Sequence, residues 1–202
     1  MITIKQCFII ILTGNEKDSR EAKKKVRKVL YSSGENKKGE FEDIAKEIEN
    51  APITYQNINE DWRKQNFVGA IATIYYLHDK ELERDFLFHW LFMLLDSDYG
   101  TIRYSAVKMI TNELGPLTFH LRCPEYEHPQ EKVEEYDRIL EQLFINLYFS
   151  FRNLWDPKYK KYKYVHKLPS CKLKSVEMLL ARMRESCGDE YMERLERKLG
   201  IY

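Results

Sequence analysis

The sequence predicts an all-α fold, a short irregular stack of antiparallel helix pairs, with a compact helical bundle as the alternative. Three observations predict it. Apolar residues recur at three-and-four spacing along most of the chain, which is the period of one helix face. All six prolines, and every glycine except Gly69, fall between the periodic segments, where proline's missing amide proton and glycine's left-handed freedom end helices. No pair of alternating apolar runs brackets a tight turn, so no hairpin is expected.

With 202 residues, 44% hydrophobic and 32% charged, the chain suits one folded domain over 1–202 with an adequate core. Residues 1–50 are the stretch expected to pack least tightly, as an N-terminal appendage. Lys plus Arg number 33 against 32 Asp plus Glu, so no long-range field gathers nucleic acid or a membrane, and electrostatic recognition must be local. Cys7, Cys123, Cys171 and Cys187 show no C-x-x-C spacing and read as reduced thiols of a cytoplasmic protein.

The run Cys7 to Leu12 is apolar but far shorter than the ~20 residues a membrane span needs. No small-residue cleavage site follows it. It is expected to form a buried first strand or helix, without membrane insertion. Phe86 to Leu95, interrupted by His89, is also too short to span.

Glu16 to Ser32 is the first clear helix, with Ala22, Val26, Val29 and Leu30 on one face and Lys23, Lys24, Lys25, Arg27 and Lys28 around the rest. Gly34 to Gly39 reads as a polar loop. Phe41, Ile44, Ala45 and Ile48 mark a short helix closed by Asn50 and Pro52. Asn57 and Glu60 have capping-box spacing before a helix through Phe67, Ile71, Ile74 and Leu77 that ends near His78.

From Leu82 to Leu95 the apolar residues surround the helix, which places it centrally. Asp96-Ser97-Asp98 supplies acceptors for the amides of the next helix, with Ile102, Ala106, Val107, Ile110 and Leu114, stopped at Gly115-Pro116. After an irregular stretch from Leu117 to His128, Pro129 opens a long helix to about Trp155. Leu173 to Cys187 forms another, ended by Gly188, and Asp189 caps a last one through Leu199.

The segment Leu94-Leu95-Asp96-Ser97-Asp98-Tyr99-Gly100-Thr101-Ile102-Arg103-Tyr104-Ser105-Ala106-Val107 resembles the turn and second helix of a HEAT (armadillo-type) repeat, with one good repeat at about residues 81–115. In that family two leucine-like residues precede an Asp-x-Asp turn, and an aliphatic-Arg pair precedes small apolar residues. The turn here is one residue longer, through Gly100. Asp61-Trp62-Arg63 with Gly69, Ala70 and Ile71 matches as a degenerate second helix some 36 to 40 residues earlier. The resemblance implies stacked helix pairs and a groove for a partner. DNA alkylation-repair glycosylases are also built from HEAT-like helices, but no stretch here matches their motif, so no catalytic residue carries over.

Two segments carry candidate chemistry. Between Asp156 and Glu177 there is no acid. Lys158, Tyr159, Lys160, Lys161, Tyr162, Lys163, Tyr164 and Lys167 there combine phosphate-neutralising lysines with tyrosines that stack on bases. The bland alternative is a solvated connector whose tyrosines pack back on the domain. His120, Cys123 and His128 offer three zinc-competent ligands in one loop, with a spacing that matches no standard finger. A surface loop with a part-buried thiol explains them as well.

Trp90 is expected in the core, Asp61 as a helix cap, and His89 as a neutral core histidine. No nucleotide-binding, serine-nucleophile or H-E-x-x-H motif is present. The expected function is a non-enzymatic helical-repeat interaction module for a protein or peptide partner, with nucleic-acid binding through 158–174 as the alternative. No cofactor is expected.

Overall fold

The computed structural model describes residues 2–32, 38–78 and 88–201. Among these there is no strand. The chain is built of α1 (Ile4–Thr13), α2 (Glu16–Ser32), α3 (Lys38–Glu49), α4 (Ala51–Gln56), α5 (Asp61–Ile74), α6 (Phe88–Leu95), α7 (Gly100–Leu117), α8 (Phe119–Arg122), α9 (Gln130–Leu154), α10 (Lys172–Cys187) and α11 (Asp189–Lys198). Positions 82–87 of the expected central helix, and most of the expected loop at 34–39, lie outside the described residues.

The helices pair and then stack. α1 pairs with α2, α6 with α7 and α9 with α10, while the short α3 and α4 lie against α5. α2, α5, α7 and α10 are neighbours in that order and form one layer. The second helices of the first three pairs run parallel, because contacts advance together along them. Asn66 Nδ2 donates to Ser19 Oγ at 3.1 Å, and Lys23 crosses Gly69 a turn later on both helices. Thr101 Oγ1 donates to Gln65 Oε1 at 2.7 Å, and the Tyr99 hydroxyl reaches the Asp61 carboxylate.

Each helix exists because its apolar stripe finds this shared core. Phe8, Ile11, Val26, Phe67, Ile71, Leu91, Leu94, Ile110, Leu140, Leu147, Leu179 and Met183 belong to one contiguous buried cluster that runs from α1 to α11. A buried leucine or phenylalanine contributes ~1.5–3 kcal/mol. α11, strongly amphipathic, covers α9 and α10 through Tyr191, Met192 and Leu195.

Several local details depart from the sequence reading. The Cys7 to Leu12 run takes the helical option within α1, which opens on a Thr3–Gln6 capping box. α5 is preceded by Glu60, whose side chain makes no capping bond, while Asn57 ends α4. α7 continues past Gly115-Pro116 to Leu117. Pro116 brings no amide for the carbonyl four residues earlier, and the carbonyls at the helix end find side-chain donors. Thr118 Oγ1 donates to Leu114 O at 2.6 Å and Arg122 Nη2 to Gly115 O at 2.7 Å. Residues 119–122 are helical rather than irregular. Asp189 is the first residue of α11, and its carboxylate accepts from Arg184 Nη1 at 3.0 Å instead of capping.

The turn at Asp96–Tyr99 works differently from the expected cap. Neither aspartate caps α7; Lys172 Nζ sits 2.8 Å from Asp96 Oδ1 and 3.6 Å from Asp98 Oδ1. Arg103, 4% exposed, grips the turn through its backbone, with Nη1 donating to Ser97 O at 2.7 Å and Asp98 O at 2.8 Å. Its Nη2 donates to Ser170 Oγ at 3.0 Å. Gly100 makes room for that approach, since a Cβ there would lie 2.7 Å from Ser170 Oγ.

A buried cation that satisfies three acceptors should matter far more than the neighbouring surface pair. Arg103→Met is expected to lower stability by about 3 kcal/mol, because the turn carbonyls lose their donor inside the protein. Lys172→Met should cost less than about 1 kcal/mol. Urea unfolding followed by circular dichroism separates the two.

Candidate functional site

The lysine-tyrosine segment follows α9 as two 3-10 turns, Pro157–Lys161 and Val165–Lys167. Asp156 starts the first turn, accepting from the Lys158 amide at 2.9 Å and from Lys158 Nζ at 2.9 Å. The Lys158 ammonium holds the Asp156 carboxyl below the usual carboxylate range. Lys158, Lys161 and Lys163 each lie over the next tyrosine, 5.1, 5.1 and 5.3 Å from the ring centres of Tyr159, Tyr162 and Tyr164.

Lys158, Lys160, Lys161, Lys163 and Lys167 all face water, while Tyr159 and Tyr162 are half-buried. Tyr164 stacks on His166 at 5.5 Å. Lys174 has a structural task, donating to His166 O at 3.2 Å and Leu168 O at 2.7 Å. The segment rests on the start of α10, so α5 and α7 stand between it and the lysines of α2.

The His120–His128 region is partly helical and holds its histidines apart. His120 Nε2 is 3.3 Å from Asp137 Oδ1, which also accepts the Tyr191 hydroxyl at 2.7 Å. His128 Nε2 donates to Cys123 O at 2.9 Å, since a carbonyl only accepts. The imidazole centres are 6.4 Å apart. Among the described residues no three His, Cys, Asp or Glu side chains converge as a metal set. Both histidines instead border a cavity of about 240 Å³ with Phe119, Pro129, Val133 and Tyr136.

The feature that sequence reading missed is the open side of the second-helix layer, turned away from α1, α6 and α9. On α2, Arg20, Lys24, Arg27 and Tyr31 form one exposed stripe at helical spacing. Tyr76 continues it beyond α5, beside Tyr31, and Tyr104 and Lys108 continue it on α7. Tyr31, Tyr76 and Tyr104 are 70%, 43% and 64% exposed. Burial, then the neighbouring Tyr31 hydroxyl, raises the Tyr76 hydroxyl above the usual tyrosine range.

Lys24 is tied to Glu21 at 2.7 Å. Arg20, Arg27 and Lys108 have no acidic partner among the described residues. Toward α10 the charge changes, with Glu177 and an Arg182–Glu185 pair at 2.6 Å. Burial raises the Glu177 carboxyl above the usual range.

Lys23 stands out within this face. It is half-buried, and its side chain lies across α5 at Gly69, where a Cβ would be 2.6 Å from Cε and 3.0 Å from Nζ. It forms no ion pair or hydrogen bond with any described residue. Burial first, and then the Arg20 charge, pulls its ammonium below the usual lysine range. The signal available in sequence was Gly69, the single glycine inside a periodic segment.

The remaining singled-out residues fall as follows. Trp90 is buried and meets Tyr55 edge-on at 6.1 Å. Trp62 carries the Arg63 guanidinium at 4.4 Å, and Trp155 is exposed at the end of α9. Asp61 is the first residue of α5 and holds Tyr99 rather than a helix amide. His89 is exposed, contrary to the core reading, because the buried side of α6 is made by Phe88, Trp90, Leu91, Leu94 and Leu95. The buried histidine is His78, whose Nδ1 donates to Tyr75 O at 2.8 Å while Nε2 lies 3.4 Å from Glu113 Oε1. Comparison with family models, with curated proteins and with solved structures finds no match.

All four thiols are free. Burial raises Cys7 and pushes Cys187 up to about 12, whereas Cys123 and Cys171 are partly exposed. A native thiol titration at pH 8 should therefore report two reacting cysteines and release the other two only on unfolding. Lys23 gives a second prediction with a definite sign. Its lowered folded pKa means that folding releases a proton, so its charge opposes folding at neutral pH and the penalty fades as pH rises toward the unfolded value. Lys23→Met should melt no lower than the parent at pH 7, and any advantage should shrink by pH 10.

Proposed function

We propose that this chain is a HEAT-like, non-enzymatic interaction module that holds a nucleic-acid strand on the open face of α2, α5 and α7. The HEAT-like part is supported by the layer of stacked second helices and by two arginines placed alike, about forty residues apart. Arg63, early in α5, donates to Ile11, Leu12 and Gly14 carbonyls at 3.1, 2.6 and 3.1 Å. Arg103, early in α7, grips its own turn and the approach to α10. Each arginine joins its helix to a turn.

The partner class rests on one observation. Arg20, Lys23, Arg27 and Lys108 have no acidic partner among the described residues and lie beside three exposed tyrosines, Tyr31, Tyr76 and Tyr104. Phosphates favour such cations through counter-ion release, and bases favour exposed aromatic faces. The near-zero net charge makes this a local patch, not a field.

A protein partner is the second reading, favoured by the end of α9. There Phe149 and Trp155 are exposed, and Tyr148, Phe151, Arg152 and Trp155 border a recess of about 350 Å³. Aromatic and arginine clusters of this kind are common anchors of protein interfaces.

The test is salt-dependent binding of labelled DNA and RNA. Arg20→Gln, Arg27→Gln and Lys108→Gln combined should weaken low-salt binding at least about tenfold and lower the salt slope by about 2 to 3. Lys158, Lys160, Lys161 and Lys163 changed together to glutamine should have the smaller effect. The opposite ranking moves the site to the lysine-tyrosine segment, and no binding by the parent protein removes the nucleic-acid reading.

A further inference from the structure

A half-buried lysine ordinarily has a carboxylate or carbonyl partner, because an ammonium out of water without one is costly. Among the half-buried lysines of the described residues, Lys172 has Asp96, Lys174 has two carbonyls, and Lys64 lies over the Tyr55 ring at 5.4 Å. Lys23 has none of these partners. Its aliphatic stem occupies the gap left by Gly69, which holds Nζ close to the α5 backbone instead of letting it swing into solvent. The cation on the same side of α2 that acts on it is Arg20, one turn earlier, and Arg27 lies one turn later.

We propose that Lys23 is an imine-forming amine, which captures an aldehyde carried by a phosphate-bearing ligand seated on the open face. Partial burial and a neighbouring cation are two devices that weaken a lysine's hold on its proton and so raise the share of nucleophilic free amine, and both act on Lys23, which is packed across Gly69 between Arg20 and Arg27. Arg20 and Arg27 flank it and have no acidic partner among the described residues, so they can take the ligand's phosphate oxygens.

The step is balanced without any oxidant or reductant. The Nζ lone pair attacks the carbonyl carbon, the carbonyl π electrons move to oxygen, and oxygen takes a proton while nitrogen loses one. The resulting carbinolamine expels that oxygen as water and leaves a C=N bond to Nζ. Two sources present this chemistry: an abasic nucleotide in its open-chain aldehyde form, and a small phosphorylated aldehyde. The first source rests on the nucleic-acid reading above; the second does not.

The full chain is incubated with cyanoborohydride and either an oligonucleotide carrying one abasic site or pyridoxal phosphate, and the reduced adduct is located by mass spectrometry. The adduct is expected on Lys23 in about tenfold excess over exposed Lys24, and it should persist to lower pH than the Lys24 adduct. Lys23→Arg keeps the charge and should lose the adduct at least about tenfold. Gly69→Ala, which displaces the flexible end of Lys23, should reduce it severalfold.

Labelling spread evenly over surface lysines, or unchanged in Lys23→Arg, overturns the proposal. Oligonucleotide binding without a trapped adduct in either arm sinks the imine and leaves the nucleic-acid reading standing. Trapping of pyridoxal phosphate at Lys23 with no oligonucleotide binding supports the imine and sinks the other reading.

Discussion

The Arg103 guanidinium is the constraint on which the order of the helices depends. It is buried where three segments meet, and its donors go to the turn before α7 and to Ser170 before α10. A cation in that position is tolerable only while all three segments are in place, because carbonyl and hydroxyl acceptors replace its lost hydration. The apolar core supplies most of the stabilisation but is non-directional. Arg103, with Arg63 at the α1–α2 turn, selects the registration in which the second helices lie side by side.

That registration is what produces an open face. With the layer held together at its turn end by Asp61–Tyr99, Gln65–Thr101 and Arg103–Ser170, residues several turns further along α2, α5 and α7 come level. Tyr31 then meets Tyr76, and Lys23 meets Gly69. Neither pairing is local in the chain. A shift of one residue along either helix would rotate these side chains by about 100° and dissolve the stripe. The surface that carries the proposed function is therefore a consequence of turn chemistry at the far end of the layer.

Helices with long uninterrupted stripes were legible from sequence: α2, α9 and α10 begin and end within a residue or two of their periodic patterns. Their signal is local and is repeated over several turns. Capping was read poorly, because at Asp96, Asp98 and Asp189 the carboxylates find lysine or arginine partners that only the folded chain supplies. His89 was misplaced for a related reason. An apolar run says that a helix is central but not which of its sides turns to solvent. Of the candidate site, the cations of α2 were visible as a basic helix, whereas the position of Lys23 depends on a glycine in another helix and on its having no acidic partner among the described residues.

Charge balance ties these observations together. Thirty-three basic and 32 acidic residues would neutralise one another if they were evenly mixed, yet they are not. α11 and the C-terminal part of α10 use their acids locally, in Arg184–Asp189, Arg184–Glu196, Arg182–Glu185 and Lys198–Glu141. On α2 only Lys24 has an acid, Glu21, among the described residues, and Arg20 and Arg27 are left without one. Exposed cations of this kind cost little in water at physiological ionic strength, where a Debye length of about 8 Å screens them. Lys23 is screened less because it is half-buried, so its retained charge opposes folding with no structural return. A residue that weakens the fold and is packed by a glycine from a neighbouring helix is best explained by what it does to a ligand.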